Sequence, residues 1–194
     1  MRLYAKRATD ISDKTIMNEA LIGFNCLNHL GGFAIVDSFW KDENGLDCLT
    51  SVEVPGITLT EYIRLHKGVG LANILSQVCD TLQKAYSYCE FYHMDLHSDN
   101  IIVLSDGKPT ILDYGESSCR YMGVLIGSKV KLDRDNALYQ VRPAAYPVRD
   151  MYYLSTQVAN ELEEFLVPYA LCMLQETSSC DTVADLMDLF SDWD

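Results

Sequence analysis

Tyr92-His93-Met94-Asp95-Leu96-His97-Ser98-Asp99-Asn100-Ile101-Ile102, followed by Ile111-Leu112-Asp113-Tyr114-Gly115, is the stretch on which the reading of this chain turns. It brings Asp95, Asn100 and Asp113, three oxygen-bearing side chains, into a short span. Between them lie two apolar runs, Ile101-Ile102-Val103-Leu104 and Pro109-Thr110-Ile111-Leu112, separated by Ser105-Asp106-Gly107-Lys108. Asp-Gly between such runs is a strong hairpin signal. The polar groups are therefore expected at the ends of two paired strands. Asp and Asn are common in loops because they cap and turn, so either motif alone would carry little weight. Here both occur, with a hairpin between them.

Together the two motifs resemble the protein-kinase signature His-Arg-Asp-Leu-x-x-x-x-Asn followed by Asp-Phe-Gly. Phosphoryl transfer asks a protein for positioning and electrostatics more than for covalent chemistry: magnesium held against the phosphates and a carboxylate beside the attacking hydroxyl. Magnesium takes oxygen ligands in an octahedron, usually one or two carboxylates plus phosphate oxygens. The resemblance implies that Asp95 serves the hydroxyl and that Asn100 and Asp113 hold magnesium. It puts His97 beside the γ-phosphate rather than on a metal.

Upstream, Arg2 to Ala8 alternates like a half-buried strand. Ser12 or Asp13 is then available as a helix N-cap, and Ile16, Ala20, Gly23, Phe24, Leu27 and Leu30 recur at helical spacing until Gly31-Gly32. In the kinase reading this strand carries Lys6, similar to the lysine of Val-Ala-Ile-Lys, and the helix resembles the family's helix C with Glu19 as its partner. Phe33 to Trp40 and Leu46 to Val54 read as two strands joined by a turn at Lys41 to Gly45. The second runs into Glu53-Val54-Pro55-Gly56, which resembles the hinge between kinase lobes, so the backbone of Glu53 and Val54 is expected to face adenine. Leu71, Ile74, Leu75, Val78, Leu82, Ala85 and Cys89 follow a helical period, predicting a long helix that delivers the chain into the Tyr92 loop. Asp150, opening a further helix, resembles the aspartate that receives backbone hydrogen bonds from the catalytic loop. Asp181 to Phe190 is compatible with one more short helix.

Three departures from the family pattern matter. The chain starts at the strand that carries Lys6, so the two preceding strands and the Gly-rich loop over the phosphates are not represented. Met94 replaces the arginine that pairs with a phosphorylated activation loop, which speaks against control of that kind. His97 replaces the usual lysine, and no Ala-Pro-Glu lies between Glu116 and Tyr146. Asp-Leu-His and Asp-Tyr resemble haspin-like kinases, which act on a histone tail, while Asp-Leu-His also occurs in aminoglycoside and choline phosphotransferases. The chain looks like a minimal kinase of the kind large DNA viruses encode.

With 194 residues, 48% of them hydrophobic, the chain can bury a sizeable core. It has no apolar run of signal-peptide length at its N-terminus and no 18-residue apolar stretch, so a soluble protein is expected. Seven cysteines, scattered and without a Cys-x-x-Cys pair, argue for a reducing compartment and against a disulfide framework or a zinc site. A net charge of −13 disfavours nucleic acid and anionic membranes and suits a basic substrate.

The expectation is an α+β, protein-kinase-like bilobal fold. Residues 1–54 would form a truncated N-lobe of a few antiparallel strands plus helix C, and 55–194 the hinge and a reduced, mainly helical C-lobe. The implied activity is ATP- and magnesium-dependent phosphorylation of protein serine or threonine, on basic or histone-like substrates, in the cytoplasm or nucleus, including that of an infected host cell. A partner chain or an oligomer could complete the N-lobe. The alternatives are a pseudokinase acting as an interaction module, favoured by the missing Gly-rich loop, and a small-molecule phosphotransferase, favoured by Asp-Leu-His.

Overall fold

The computed structural model describes residues 2–127 and 149–162, with the isolated positions 185 and 188. The chain is α+β, with small antiparallel sheets and helices in one continuous apolar core.

The first sheet has three strands, β1 (Leu3–Arg7), β2 (Val36–Lys41) and β3 (Asp47–Val52), in the order β1-β3-β2. Lys6 stands opposite Leu49 in the β1–β3 register. Helix α1 (Thr15–Asn25) packs on β2 and β3 through Ile16, Ala20, Ile22 and Gly23. Its N-cap is Lys14, not Ser12 or Asp13. Asp13 still contributes from one position upstream, its carboxylate accepting the Thr15 backbone N–H at 3.0 Å. The apolar period that runs on to Leu27 and Leu30 does not prolong the α-helix, because the chain tightens into a 3₁₀ turn at Leu27–His29. Such tight turns are common where α-helices end.

The segment after Gly31-Gly32 joins the first sheet to a second one, of β4 (Ile57–Thr58), β5 (Ile101–Val103) and β6 (Pro109–Ile111) in the order β4-β5-β6. Ile111 donates its N–H to the Gly32 carbonyl and accepts the Ala34 N–H on its own carbonyl, at 2.8 and 2.9 Å. The expected boundary at 54/55 falls between β3 and β4. Gly56 there passes so close to β5 that a Cβ would lie 2.4 Å from the Val103 carbonyl oxygen. The β5–β6 hairpin forms where Asp-Gly announces it, with Gly107 at φ +82° in the turn.

Thr58 opens α2 (Leu59–His66) with a capping box: its hydroxyl accepts the Glu61 N–H, and the Glu61 carboxylate accepts the Thr58 N–H. Helix α3 (Leu71–Cys89) buries the whole stripe named from its periodicity, Leu71, Ile74, Leu75, Val78, Leu82, Ala85 and Cys89. Each buried Leu, Ile or Val contributes roughly 1.5–3 kcal/mol by leaving water, so this face is a main anchor of the core. A short hairpin, β7 (Cys119–Tyr121) and β8 (Val124–Ile126), follows. A further helix, α4 (149–162), buries Met151, Leu154, Val158 and Leu162 against the same core. The helix expected over Asp181 to Phe190 lies outside the described residues, as does most of the interval between Glu116 and Tyr146. Among the described residues, no helix is long and apolar enough to cross a membrane.

Candidate active site

The Lys6 ammonium is the centre of the candidate site. It donates to both carboxylate oxygens of Glu19, at 3.0 and 2.9 Å, and lies 3.0 Å from Oδ1 of Asp113. Three separate elements supply these groups: β1, α1 and the segment after β6. Glu19 is almost wholly buried, whereas the Asp113 side chain is 54% exposed. The arrangement therefore has a closed end and an open end.

The electrostatics follow from that asymmetry. Burial alone would lower the Lys6 pKa, but Glu19 and then Asp113 outweigh it and hold the ammonium above its ordinary value. Burial pushes the Glu19 carboxyl upward, opposed by the same ammonium. Lys6 is thus a fixed cation, able to hold an anion presented at the open, Asp113 end.

The loop between α3 and β5 is pinned from several sides. Asp150, buried at the start of α4, accepts the backbone N–H of His93 at 2.8 Å and of Met94 at 2.9 Å. The buried His93 ring meets the Leu112 carbonyl through Nε2 at 2.9 Å. Because that partner only accepts, Nε2 carries the proton. Ser117 Oγ donates to the His93 carbonyl, and Thr60 and Ser98 share a 2.7 Å hydroxyl contact that ties α2 to the loop. Met94 and Asp113 both sit at positive φ, 65° and 51°. Left-handed backbone of this kind costs of order 1–3 kcal/mol at non-glycine residues and persists only where the surroundings enforce it; here those hydrogen bonds do so.

Asp95 lies exposed on this loop. Asn100 closes a 3₁₀ turn, Ser98–Asn100, preceded by a half-buried His97 in extended backbone. The Asn100 amide donates its NH₂ to the Asp95 carbonyl at 3.0 Å, which leaves its oxygen without a partner among the described residues. The Asn100 carbonyl accepts the Leu112 N–H, so the residue beside Asp113 is stitched to Asn100 through the backbone. Asn100 Oδ1 and the second oxygen of Asp113 are thus oxygen donors available to a divalent cation. Tyr114, fully buried, donates its hydroxyl to the Ala34 carbonyl at 2.8 Å and fixes the Asp113 segment to the stretch that leads into β2.

Glu53 and Val54 connect β3 to β4, but Glu53 already donates its N–H to the Arg2 carbonyl at 3.0 Å. The backbone groups left open here are the Glu53 carbonyl and the Val54 N–H.

No family model matches the chain, and no curated protein matches it.

Several residues that complete it carried no sequence signal. Asn18 on α1 donates to the carbonyls of Gly115 and Ser117, at 2.7 and 2.8 Å, so the helix that carries Glu19 is tied directly to the segment after Asp113. His93, Ser117 and Thr60 act through contacts distant in sequence, which no local spacing encodes. A cavity of about 600 Å³ lies between α1 and β8, lined by Met17, Leu21, Leu125 and Ile126 among others. It includes none of the candidate catalytic residues.

Proposed function

We propose that this chain is a protein-kinase-like phosphotransferase that moves the γ-phosphate of ATP to a serine or threonine hydroxyl of a protein. In this reading the first sheet with α1 is a reduced N-lobe, and the helical remainder is the C-lobe. The observation that carries it is the Lys6 ammonium held between Glu19 and Asp113, beside a loop clamped by Asp150. This assembly draws on β1, α1, the Asp-Tyr-Gly segment and α4, and its open end leaves room for an anion beside the Lys6 ammonium.

The donor set fits magnesium. Asn100 Oδ1 and the second Asp113 oxygen are hard oxygen atoms without protein partners among the described residues, and magnesium favours a few such donors together with phosphate oxygens. When bound, magnesium neutralises charge on the transferring phosphate. Lys6 grips the phosphates, and Glu19 keeps the ammonium in place. The exposed Asp95 carboxylate orients the incoming hydroxyl and accepts its proton. His97 stands next to the transferred group. The Glu53 carbonyl and the Val54 N–H are the backbone groups offered to adenine. Asp150 holds the loop so that Asp95 need not be ordered at the moment of reaction. The net charge of −13 supports basic protein substrates.

The test is ATP-dependent phosphorylation of a mixed panel of basic proteins and aminoglycosides, with Asp95→Asn as control. Labelled serine or threonine in a basic protein, absent with the variant, supports the reading. Label on aminoglycosides alone would move the assignment to a small-molecule phosphotransferase, and no transfer by the wild type would leave an interaction module.

A further inference from the structure

Three of the cysteines, widely separated in sequence, converge in the core. Cys26 follows the end of α1, Cys89 ends α3 and Cys119 begins β7, and their sulfur atoms all lie within 4.8 Å of one another. All three are buried, and the Cys26 and Cys119 sulfurs are 3.5 Å apart. The scattered spacing argues against a zinc site, yet the fold brings together three thiols that the sequence keeps apart.

We propose that Cys26, Cys89 and Cys119 form a three-coordinate site for a soft monovalent d¹⁰ ion, of which Cu(I) is the representative. A metal–thiolate bond of about 2.3 Å puts the sulfurs of a trigonal site about 4 Å apart. The Cys26–Cys119 separation of 3.5 Å and the 4.8 Å bound on the other two bracket that value, so closure needs side-chain shifts below about 1 Å. The donors are sulfur alone, which selects soft ions over magnesium or calcium. Their number selects among the soft ions. Structural zinc closes with four protein ligands, and open zinc sites keep a water; no histidine or carboxylate joins this group among the described residues. Its surroundings are the apolar core that holds all three cysteines, where a water would lack partners. Bond formation at each sulfur releases a thiol proton to solvent.

Such an ion would tie the end of α1, which carries Glu19, to the hairpin that follows Asp113. The two remaining described cysteines, Cys48 and Cys79, lie outside the group.

The experiment is anaerobic titration of the full chain with Cu(I) buffered by bathocuproine disulfonate, in a Cys172→Ser, Cys180→Ser background that leaves only the five described cysteines. One ion per chain should resist the chelator. X-ray absorption should give a sulfur-only shell of three atoms. With free Cu(I) a hundredfold above the dissociation constant, Tm should rise by roughly 5–10 °C. Cys26→Ala, Cys89→Ala and Cys119→Ala should each weaken binding at least tenfold, while Cys79→Ala, an equally buried thiol outside the group, should not. Failure to compete with the chelator, a shell containing nitrogen or oxygen, or affinity indifferent to the three substitutions would overturn the site. Four-coordinate zinc retained in its place would overturn the choice of ion. The absorption measurement needs no substitution in the cluster, so it decides even if those variants do not fold.

Discussion

Asp150 and His93, 57 positions apart in the chain, are joined by a 2.8 Å hydrogen bond in which the buried carboxylate accepts the His93 backbone N–H. The other carboxylate oxygen takes the Met94 N–H at 2.9 Å. One side chain thus satisfies two consecutive buried donors and holds Met94 at φ 65°, a conformation that the residue would not choose by itself. The consequence for function is rigidity in the residue that follows, Asp95.

Asp150→Asn keeps the shape but turns one acceptor into an NH₂ that faces an N–H. Hydrogen bonds to charged groups contribute about 1.5–3 kcal/mol each, so urea unfolding should report a loss of about 1.5–3 kcal/mol, and phosphoryl transfer should fall with it. A variant within 0.5 kcal/mol of the wild type would mean that the clamp is not what holds the loop.

The ion pair beneath the site gives a sharper contrast. Lys6→Met leaves Glu19 buried without its ammonium, and stranding a buried polar group costs about 1–3 kcal/mol. Adding Glu19→Met removes the stranded group and should restore much of the stability, while nucleotide binding stays lost in both proteins. Equal stability of the single and double variants would show that Glu19 is not dependent on Lys6.

His93 makes the fold sensitive to mild acid. Burial first, opposed by the nearby Asp150 carboxylate, holds its pKa below the ordinary 6.5. With the folded value depressed, the unfolded chain takes up a proton near pH 6.5 that the folded chain refuses. Stability contributed by this site is therefore constant above that pH and declines as pH falls below it. Tm measured from pH 8 to 5.5 should drop through this window, and less steeply for His93→Gln, which keeps an N–H for the Leu112 carbonyl. The same slope in both proteins would assign the acid sensitivity elsewhere.

What the sequence could reveal was what is local or periodic. The α3 stripe, the Asp-Gly hairpin and the Lys6 strand followed by the Glu19 helix were legible because each rests on spacing within one element. The end of α1 was not: Leu27 and Leu30 keep the apolar period while the backbone tightens into a 3₁₀ turn, so burial alone does not reveal helix type. Nor was the meeting of Cys26, Cys89 and Cys119, which depends on where the ends of two helices and the start of a strand fall in three dimensions. Asp150 lies between these cases, since its position was readable only through a resemblance and its two hydrogen bonds through the fold.

The two exposed carboxylates should separate cleanly in kinetics. Asp95 is exposed and makes no side-chain bond among the described residues, so Asp95→Asn should leave Tm and ATP affinity unchanged. Its effect should appear in kcat, by about 10²–10⁴-fold, the usual contribution of a general base. Asp113 touches Lys6 and in the proposed reading is a magnesium ligand, so Asp113→Asn should instead remove the gain in ATP affinity that magnesium confers, as read by calorimetry with and without the metal. That gain should be large in the wild type and in Asp95→Asn. An Asp95→Asn enzyme with wild-type turnover would remove Asp95 from the reaction, and ATP affinity indifferent to magnesium in the wild type would remove Asp113 and Asn100 from the metal.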